Sequence, residues 1–229
     1  MDNIKHIFFD LDHTLWDFNK NSKLTFQQIF NDQNMVMDMN AFEEVYMPIN
    51  ERYWKLYREE RVNQSSLRYG RLKDTFDALS LRVKDETINL IAKEYINNLS
   101  SFTHLVEGTI DLLDYLKQKY QLHIITNGFD EIQYKKLNNS KIADYFDVIV
   151  TSDSVGVKKP NPRVFEYAVK SAKSIAQDCV MVGDSYEADV LGSFKTGMIP
   201  IHFSDNNIHQ IPDKNFISVT KLADIKQYL

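Results

Sequence analysis

Only one cysteine, Cys179, occurs in the 229 residues, so no disulfide can form within the chain. That suits a reducing compartment. Cys179 lies in the apolar run Cys179-Val180-Met181-Val182 and reads as a small core hydrophobe. Long apolar runs are also missing. The first one breaks at Asp10, too soon for a secretory leader, and none approaches a membrane span. The expectation is a cytoplasmic protein without a membrane partner. A basic excess is absent too: the formal net charge is -5, which argues against a nucleic-acid polymer as partner. A small anion stays open as a ligand, because a local site can be positive on an acidic protein. His6, His104, His123, His202 and His209 show no ligand spacing, so no zinc site is read. Repeats and low-complexity segments are absent as well.

What remains is ordinary globular material, 43% hydrophobic and 26% charged. Residues 4–10 read as a buried strand. From about 17 to about 100 almost nothing is strand-like. Phe42, Val45, Tyr46, Ile49, Tyr53, Leu56 and Tyr57 recur at helical spacing. Leu67, Leu72, Phe76 and Leu79 mark a second helix. A third carries Thr87, Ile88, Ile91, Tyr95 and Leu99 and is entered from Lys84-Asp85-Glu86.

From about 104 strands and helices alternate. A helix is predicted from Thr109 to about Lys119 and a strand over Leu122–Ile125. A further helix, the strand Asp147–Val150 and a Pro-started helix over 162–172 follow. Then come the strand Cys179–Val182, another helix, the strand Ile199–Phe203, a short strand near Phe216–Val219 and a last helix over 220–228. Such alternation predicts an α/β fold, a Rossmann-like parallel sheet with helices on both faces. Residues 1–16 and 101–229 form this core, and 17–100 form an inserted helical cap. Leaving the core just after the first acidic loop, the cap is expected to hang over the strand ends and exclude water.

Four polar clusters each follow an apolar strand. Asp10-Leu11-Asp12-His13-Thr14 places two acids at the carboxyl end of the first strand, where open α/β sheets bind ligands. Such a pair can hold a divalent metal, supply a nucleophile and supply an acid or base. Thr126-Asn127-Gly128 offers a hydroxyl, an amide and a turn whose N–H groups suit phosphate oxygens. In Lys158-Lys159-Pro160-Asn161-Pro162, the lysine just before Pro160 offers a fixed cation. In Gly183-Asp184-Ser185, Asp184 can complete an oxygen cage for Mg²⁺, and Asp189 follows five residues on. Each cluster alone has a bland reading: capping acids, a turn pair, solvated lysines. Together they are the components of metal-assisted phosphoryl transfer.

These motifs, in this order, resemble the haloacid dehalogenase-like hydrolase superfamily with a helical C1 cap. Leu15-Trp16-Asp17-Phe18 with Asn21, together with Thr126-Asn127-Gly128, looks most like the YjjG/YfnB-type branch of nucleotidases and phosphatases. The resemblance implies an Mg²⁺-dependent phosphatase acting on a small phosphorylated metabolite, nucleoside monophosphates foremost. A monomer or weak homodimer is expected. The same resemblance implies Asp10 as nucleophile through an aspartyl-phosphate and Asp12 as acid and base. Asp10, Asp184 and the backbone carbonyl of Asp12 would bind the metal. Thr126, Asn127, Gly128 and Lys159 would hold the phosphate, with Lys159 also neutralising charge. Thr14 would brace the nucleophile loop, and Asp189 would orient Lys159 or metal-bound water.

A dehalogenase needs neither metal nor general acid, so Asp12 and Asp184 favour the phosphatase. A phosphomutase of the same fold and a non-catalytic interaction module stay open. His13 is expected to point away from both acids in a structural role. Tyr53, Trp54, Tyr57, Arg58, Arg61 and Arg68 are candidate substrate contacts or cap core.

Overall fold

The computed structural model describes residues 3–204 and 216–229. Its chain begins with strand β1 (His6–Phe9) and helices α1 (Phe18–Asp32), α2 (Met39–Arg58), α3 (Gln64–Ala78), α4 (Asp85–Asn98) and α5 (Thr109–Lys117). Strand β2 (Gln121–Thr126), helix α6 (Asp130–Asn139), strand β3 (Phe146–Thr151) and the short helix α7 (Ser152–Val155) follow. Then come α8 (Pro162–Ser171), β4 (Cys179–Gly183), a π-helical turn (Tyr186–Leu191), α9 (Gly192–Phe194), β5 (Ile199–Phe203) and β6 (Ile217–Val219).

Two compact units partition these elements: Met1–Phe18 with Thr103–Leu229, and Asn19–Phe102. The first is built on a sheet of order β3-β2-β1-β4-β5-β6, parallel at every pairing. Strands β1 and β4 are buried along their whole length, which explains their uninterrupted apolar runs. Because β1 enters mid-sheet, the chain reverses its direction of travel across the sheet between β1 and β4. Their carboxyl ends therefore flank the switch-point crevice where open α/β sheets bind ligands. One face packs Phe8, Ile125, Val150 and Met181 against Val164, Phe165 and Ala168 of α8.

Helices α1 to α4 form the second unit around a ring cluster. Phe26 stacks on Tyr95 at 4.3 Å and meets Phe42 and Tyr46 edge-on at 5.0 and 4.9 Å. Within this apolar unit, Arg71 is 3% exposed and gives Nη1 to Asn50 Oδ1 at 2.8 Å. Its guanidinium lies over the rings of Tyr95 and Tyr46.

Two sequence expectations are corrected. The segment after Asp184 is not a regular helix: both Asp189 N and Val190 N bond to Ser185 O, at 2.8 and 3.3 Å, widening the turn into a π-helical one. Such bulges break a periodic pattern without leaving a sequence trace. The last helix, expected over 220–228, spans only Leu222–Gln227 and is a 3₁₀ helix. His209 lies outside the described residues. No helix among the described residues is long and apolar enough to cross a membrane.

Candidate active site

Asp10 follows β1 and is locked to β4 by its N–H, which donates to Val182 O at 2.9 Å. Thr126 is the last residue of β2, and Asp184 follows the end of β4. Parallel registry of three adjacent strands thus brings these groups to one edge.

Lys159 reaches that edge from the other side of the loop. Gly156 ends α7 at φ 78, a conformation that glycine adopts freely. Asn161 and Pro162 then start α8, the Asn161 side chain accepting from Arg163 N at 3.1 Å. Between them, Asn127 grips the Lys159 backbone: its Nδ2 donates to Lys159 O at 3.0 Å, and Lys159 N donates to its Oδ1 at 2.7 Å. Both amide atoms of Asn127 are used this way. One Nδ2 hydrogen remains beyond these two bonds, and Thr126 Oγ1, which accepts from Gly128 N at 3.1 Å, keeps its own hydroxyl proton for an anion.

The Lys159 side chain is 2% exposed. Its Nζ donates to Asp10 Oδ1, Asp189 Oδ1 and Ile125 O at 2.6, 2.6 and 2.7 Å. Burial opposes the ammonium charge, but Asp10 and Asp189 outweigh it and push the Lys159 pKa up. Asp10 moves up to about 7: burial dominates, Asp189 and Asp12 add to it, and Lys159 opposes. Asp184 is also raised well above the usual carboxylate range, by burial first and then by Asp10 and Asp189.

The cause is a charge imbalance. Asp10, Asp184 and Asp189 each place one carboxylate oxygen within 4.8 Å of the others. Three carboxylates against the single ammonium of Lys159 leave a net -2 when all are ionised. Hard oxygen donors carrying that excess fit a divalent cation such as Mg²⁺. Asp189 is already committed, Oδ1 to Lys159 and Oδ2 to Ser185 N at 3.0 Å. Asp10 and Asp184 keep the freer oxygens. Thr14 ties its loop to Asp184, accepting from Asp184 N at 3.1 Å and donating to Asp184 Oδ1 at 3.4 Å.

A family model described as haloacid dehalogenase-like hydrolase matches residues 7–202. The chain belongs to this family. Pyrimidine 5'-nucleotidase YjjG of Escherichia coli (strain K12) is 32% identical over 193 residues, covering 84% of this chain and 82% of that protein. Glyceraldehyde 3-phosphate phosphatase of Methanothermobacter thermautotrophicus is 31% identical over 233 residues, covering 98% and 97%. The crystal structure of YfnB from Bacillus subtilis bound to magnesium matches with a TM-score of 0.88 at 25% identity, covering 99% of this chain and 98% of that one.

Within this member of the haloacid dehalogenase-like hydrolases, two polar residues that the motifs do not announce also reach the site. Gln133 and Lys136, both on α6, donate to the Asp12 carboxylate. Their only sequence signal is a three-residue spacing that puts them on one helix face shortly after Gly128. His13 takes φ 66 and lays its ring 4.8 Å from Phe18. Of the candidate contacts in the second unit, Tyr53 gives its hydroxyl to Asp74 at 3.0 Å, and the rings of Trp54 and the buried Tyr57 meet edge-on. Arg61 pairs with Glu59 at 3.3 Å, while Arg58 and Arg68 are half-buried.

Proposed function

We propose that this chain is an Mg²⁺-dependent phosphatase that hydrolyses small phosphomonoesters, nucleoside monophosphates foremost, through an aspartyl-phosphate on Asp10. The observation that carries the reading is the buried lysine held between two carboxylates, with a third carboxylate beside them. A surplus of desolvated negative charge is costly for a resting protein. It is useful to an enzyme that must pair a carboxylate nucleophile with a dianionic substrate and a metal.

The chemistry divides into two displacements. An Asp10 carboxylate oxygen attacks phosphorus, the bond from phosphorus to the ester oxygen breaks, and the departing oxygen takes a proton from Asp12. Water then attacks the same phosphorus and gives its proton to Asp12. The bond between phosphorus and Asp10 breaks, and its electron pair returns to the carboxylate. Lys159 balances charge on Asp10 and on the phosphoryl oxygens throughout. Thr126 Oγ1 and the N–H groups of the 126–128 turn hold those oxygens. Asp10, Asp184 and the backbone carbonyl of Asp12 would hold Mg²⁺, which supplies electrophilic polarisation of the phosphoryl group when bound. Asp189 orients Lys159, and Thr14 orients Asp184.

Nucleotide preference is supported by the relative named as a pyrimidine 5'-nucleotidase. The helical unit 19–102, inserted in sequence after the Asp10–Thr14 loop, is assigned the role of a cap that selects the substrate. Action in the cytoplasm as a monomer or weak homodimer completes the proposal.

The test is phosphate release from a panel of uridine, deoxyuridine and purine nucleoside monophosphates, sugar phosphates and glyceraldehyde 3-phosphate. It is run with and without Mg²⁺, on the wild type and on Asp10→Asn. Mg²⁺-dependent release that Asp10→Asn abolishes is the expected result. Release from no monoester would overturn the phosphatase reading. Equal turnover of the whole panel would overturn the nucleotide preference.

A further inference from the structure

Asp12 is asked to do the most exacting task in that scheme, giving a proton at one moment and taking one at the next, so its carboxylate must be held in place. Its backbone does not supply this: Asp12 bridges Trp16 through a turn with His13 in the left-handed region. Side chains from α6 do. Lys136 Nζ donates to Asp12 Oδ1 at 2.5 Å, and Gln133 Nε2 donates to Asp12 Oδ2 at 2.9 Å. Each oxygen receives its own donor, and each keeps a further lone-pair direction for a reacting proton.

The clamp is itself built. Both Gln133 and Lys136 are 2% exposed. The ammonium of Lys136 lies 4.2 Å from the centroid of the Trp16 ring and 5.4 Å from that of Phe18. Trp16 is fixed in turn, its Nε1 donating to Ser140 Oγ at 3.1 Å, just past the end of α6. Gln133 crosses the phosphate-loop glycine so closely that a Cβ on Gly128 would fall 1.5 Å from Nε2. The Asp12 carboxylate can only accept, so the Nε2 end of the amide is the end that faces it. The other end, Oε1, is buried without a hydrogen-bond partner among the described residues, a cost the protein bears to keep the donor aimed.

We infer that Lys136 and Gln133 are positioning residues that fix the Asp12 carboxylate for proton transfer to and from the ester oxygen. The inference rests on the phosphatase reading above. It makes a distinction that a merely structural ion pair does not. An alkoxide leaving group needs the proton that Asp12 gives, whereas p-nitrophenolate leaves without one.

The experiment measures single-turnover alcohol release from uridine 5'-monophosphate and from p-nitrophenyl phosphate, with Mg²⁺, for the wild type, Lys136→Met, Lys136→Arg and Gln133→Leu. Lys136→Met should slow release from the alkyl ester by at least about 30-fold while leaving p-nitrophenolate release within about 3-fold. Apparent substrate affinity should change little. Lys136→Arg should recover most of the alkyl rate, and Gln133→Leu should show the same selective loss in smaller degree. Equal loss on both esters, or loss on neither, would overturn the clamp. If Lys136→Met does not fold, Gln133→Leu decides by the same ratio. A wild type inactive on every monoester sinks the phosphatase reading itself, whereas an active wild type with unselective variants sinks only this inference.

Discussion

Lys159 Nζ lies 2.6 Å from Asp10 Oδ1, though the two residues are 149 positions apart in the chain. Asp10 is placed by the end of β1, and Lys159 is placed by the Asn127 amide and the start of α8. The pair therefore forms only when the sheet and the 126–162 connection are both in place. Replacing Lys159 with Met keeps most of the volume and removes the ammonium. Asp10, Asp184 and Asp189 are then left as neighbours without a cation. The expected cost is about 3–5 kcal/mol in urea unfolding without metal. Phosphate release should fall at least about 10²-fold in variant protein that remains folded. Unchanged stability would mean that the carboxylates are already protonated or solvated in the resting site.

Asp184 should behave in the opposite sense. Its carboxyl is raised by burial and by Asp10 and Asp189, so its charge is a burden without a cation. Asp184→Asn removes that charge with little change of shape. In EDTA the variant should melt above the wild type. On adding Mg²⁺ to about 100 times its dissociation constant, the wild type should gain about 2.7 kcal/mol, or roughly 5–10 °C, and the variant almost nothing. A variant that melts lower in EDTA and still responds to Mg²⁺ would contradict the charge-surplus account.

Gly183 is the residue on which Asp189 rests. A Cβ there would stand 2.3 Å from Asp189 Oδ2 and 2.4 Å from its Cγ. Gly183→Ala must therefore push Asp189 off both Lys159 and Ser185 N. A loss of about 3–5 kcal/mol is expected, above the roughly 1–3 kcal/mol of overpacking alone, because a buried ion pair is broken as well. Asp189→Asn should blunt the effect, because the displaced group then carries no charge. A double-mutant cycle by thermal melting reads this as a coupling that departs from additivity.

The fold and the four clusters were legible because their signals are local. An apolar run followed by Asp, Thr-Asn-Gly or Gly-Asp marks a strand and its loop, and Lys159-Pro160-Asn161-Pro162 marks a helix start. The parallel sheet then brings them together without further information. Gln133 and Lys136 were not legible: in sequence they are two polar residues on a polar helix, and only the docking of α6 against Trp16 buries them. Arg71 escaped for the same reason, being an arginine in the midst of a helix whose burial depends on packing with Tyr46 and Tyr95. The grip of the Asn127 amide on the Lys159 backbone was not legible either, because it joins two loops that lie 32 positions apart in the chain. The π-helical turn at Asp189 has no periodic signature to read.

The last prediction concerns the opposite end of the strands, where His6 and His123 from paired strands meet. His6 Nδ1 lies 3.0 Å from His123 Nε2, and the two rings stack at 5.3 Å. His123 is fully buried and also packs on Phe8 at 4.6 Å. Its Nδ1 has no hydrogen-bond partner among the described residues. Burial pushes its pKa down to about 4; His6 and Lys117 act in the same direction, and Asp147 opposes them. His6 is lowered too, by burial first and then Lys5, against Asp178 and Asp147. A histidine depressed in the fold binds fewer protons than it does unfolded. Stability is therefore complete above the unfolded value of about 6.5 and declines as pH falls toward 4. For His123 the linkage amounts to roughly 2 kcal/mol by pH 5. Asp10 has the opposite slope over part of this range, since its raised pKa favours folding at lower pH. The comparison should thus be between the wild type and His123→Leu rather than within one protein. Denaturant unfolding at pH 7.5 and pH 5 should show the wild type losing about 2 kcal/mol more than the variant over the interval. Parallel pH profiles would mean that His123 is already charged, or stays neutral, in both states.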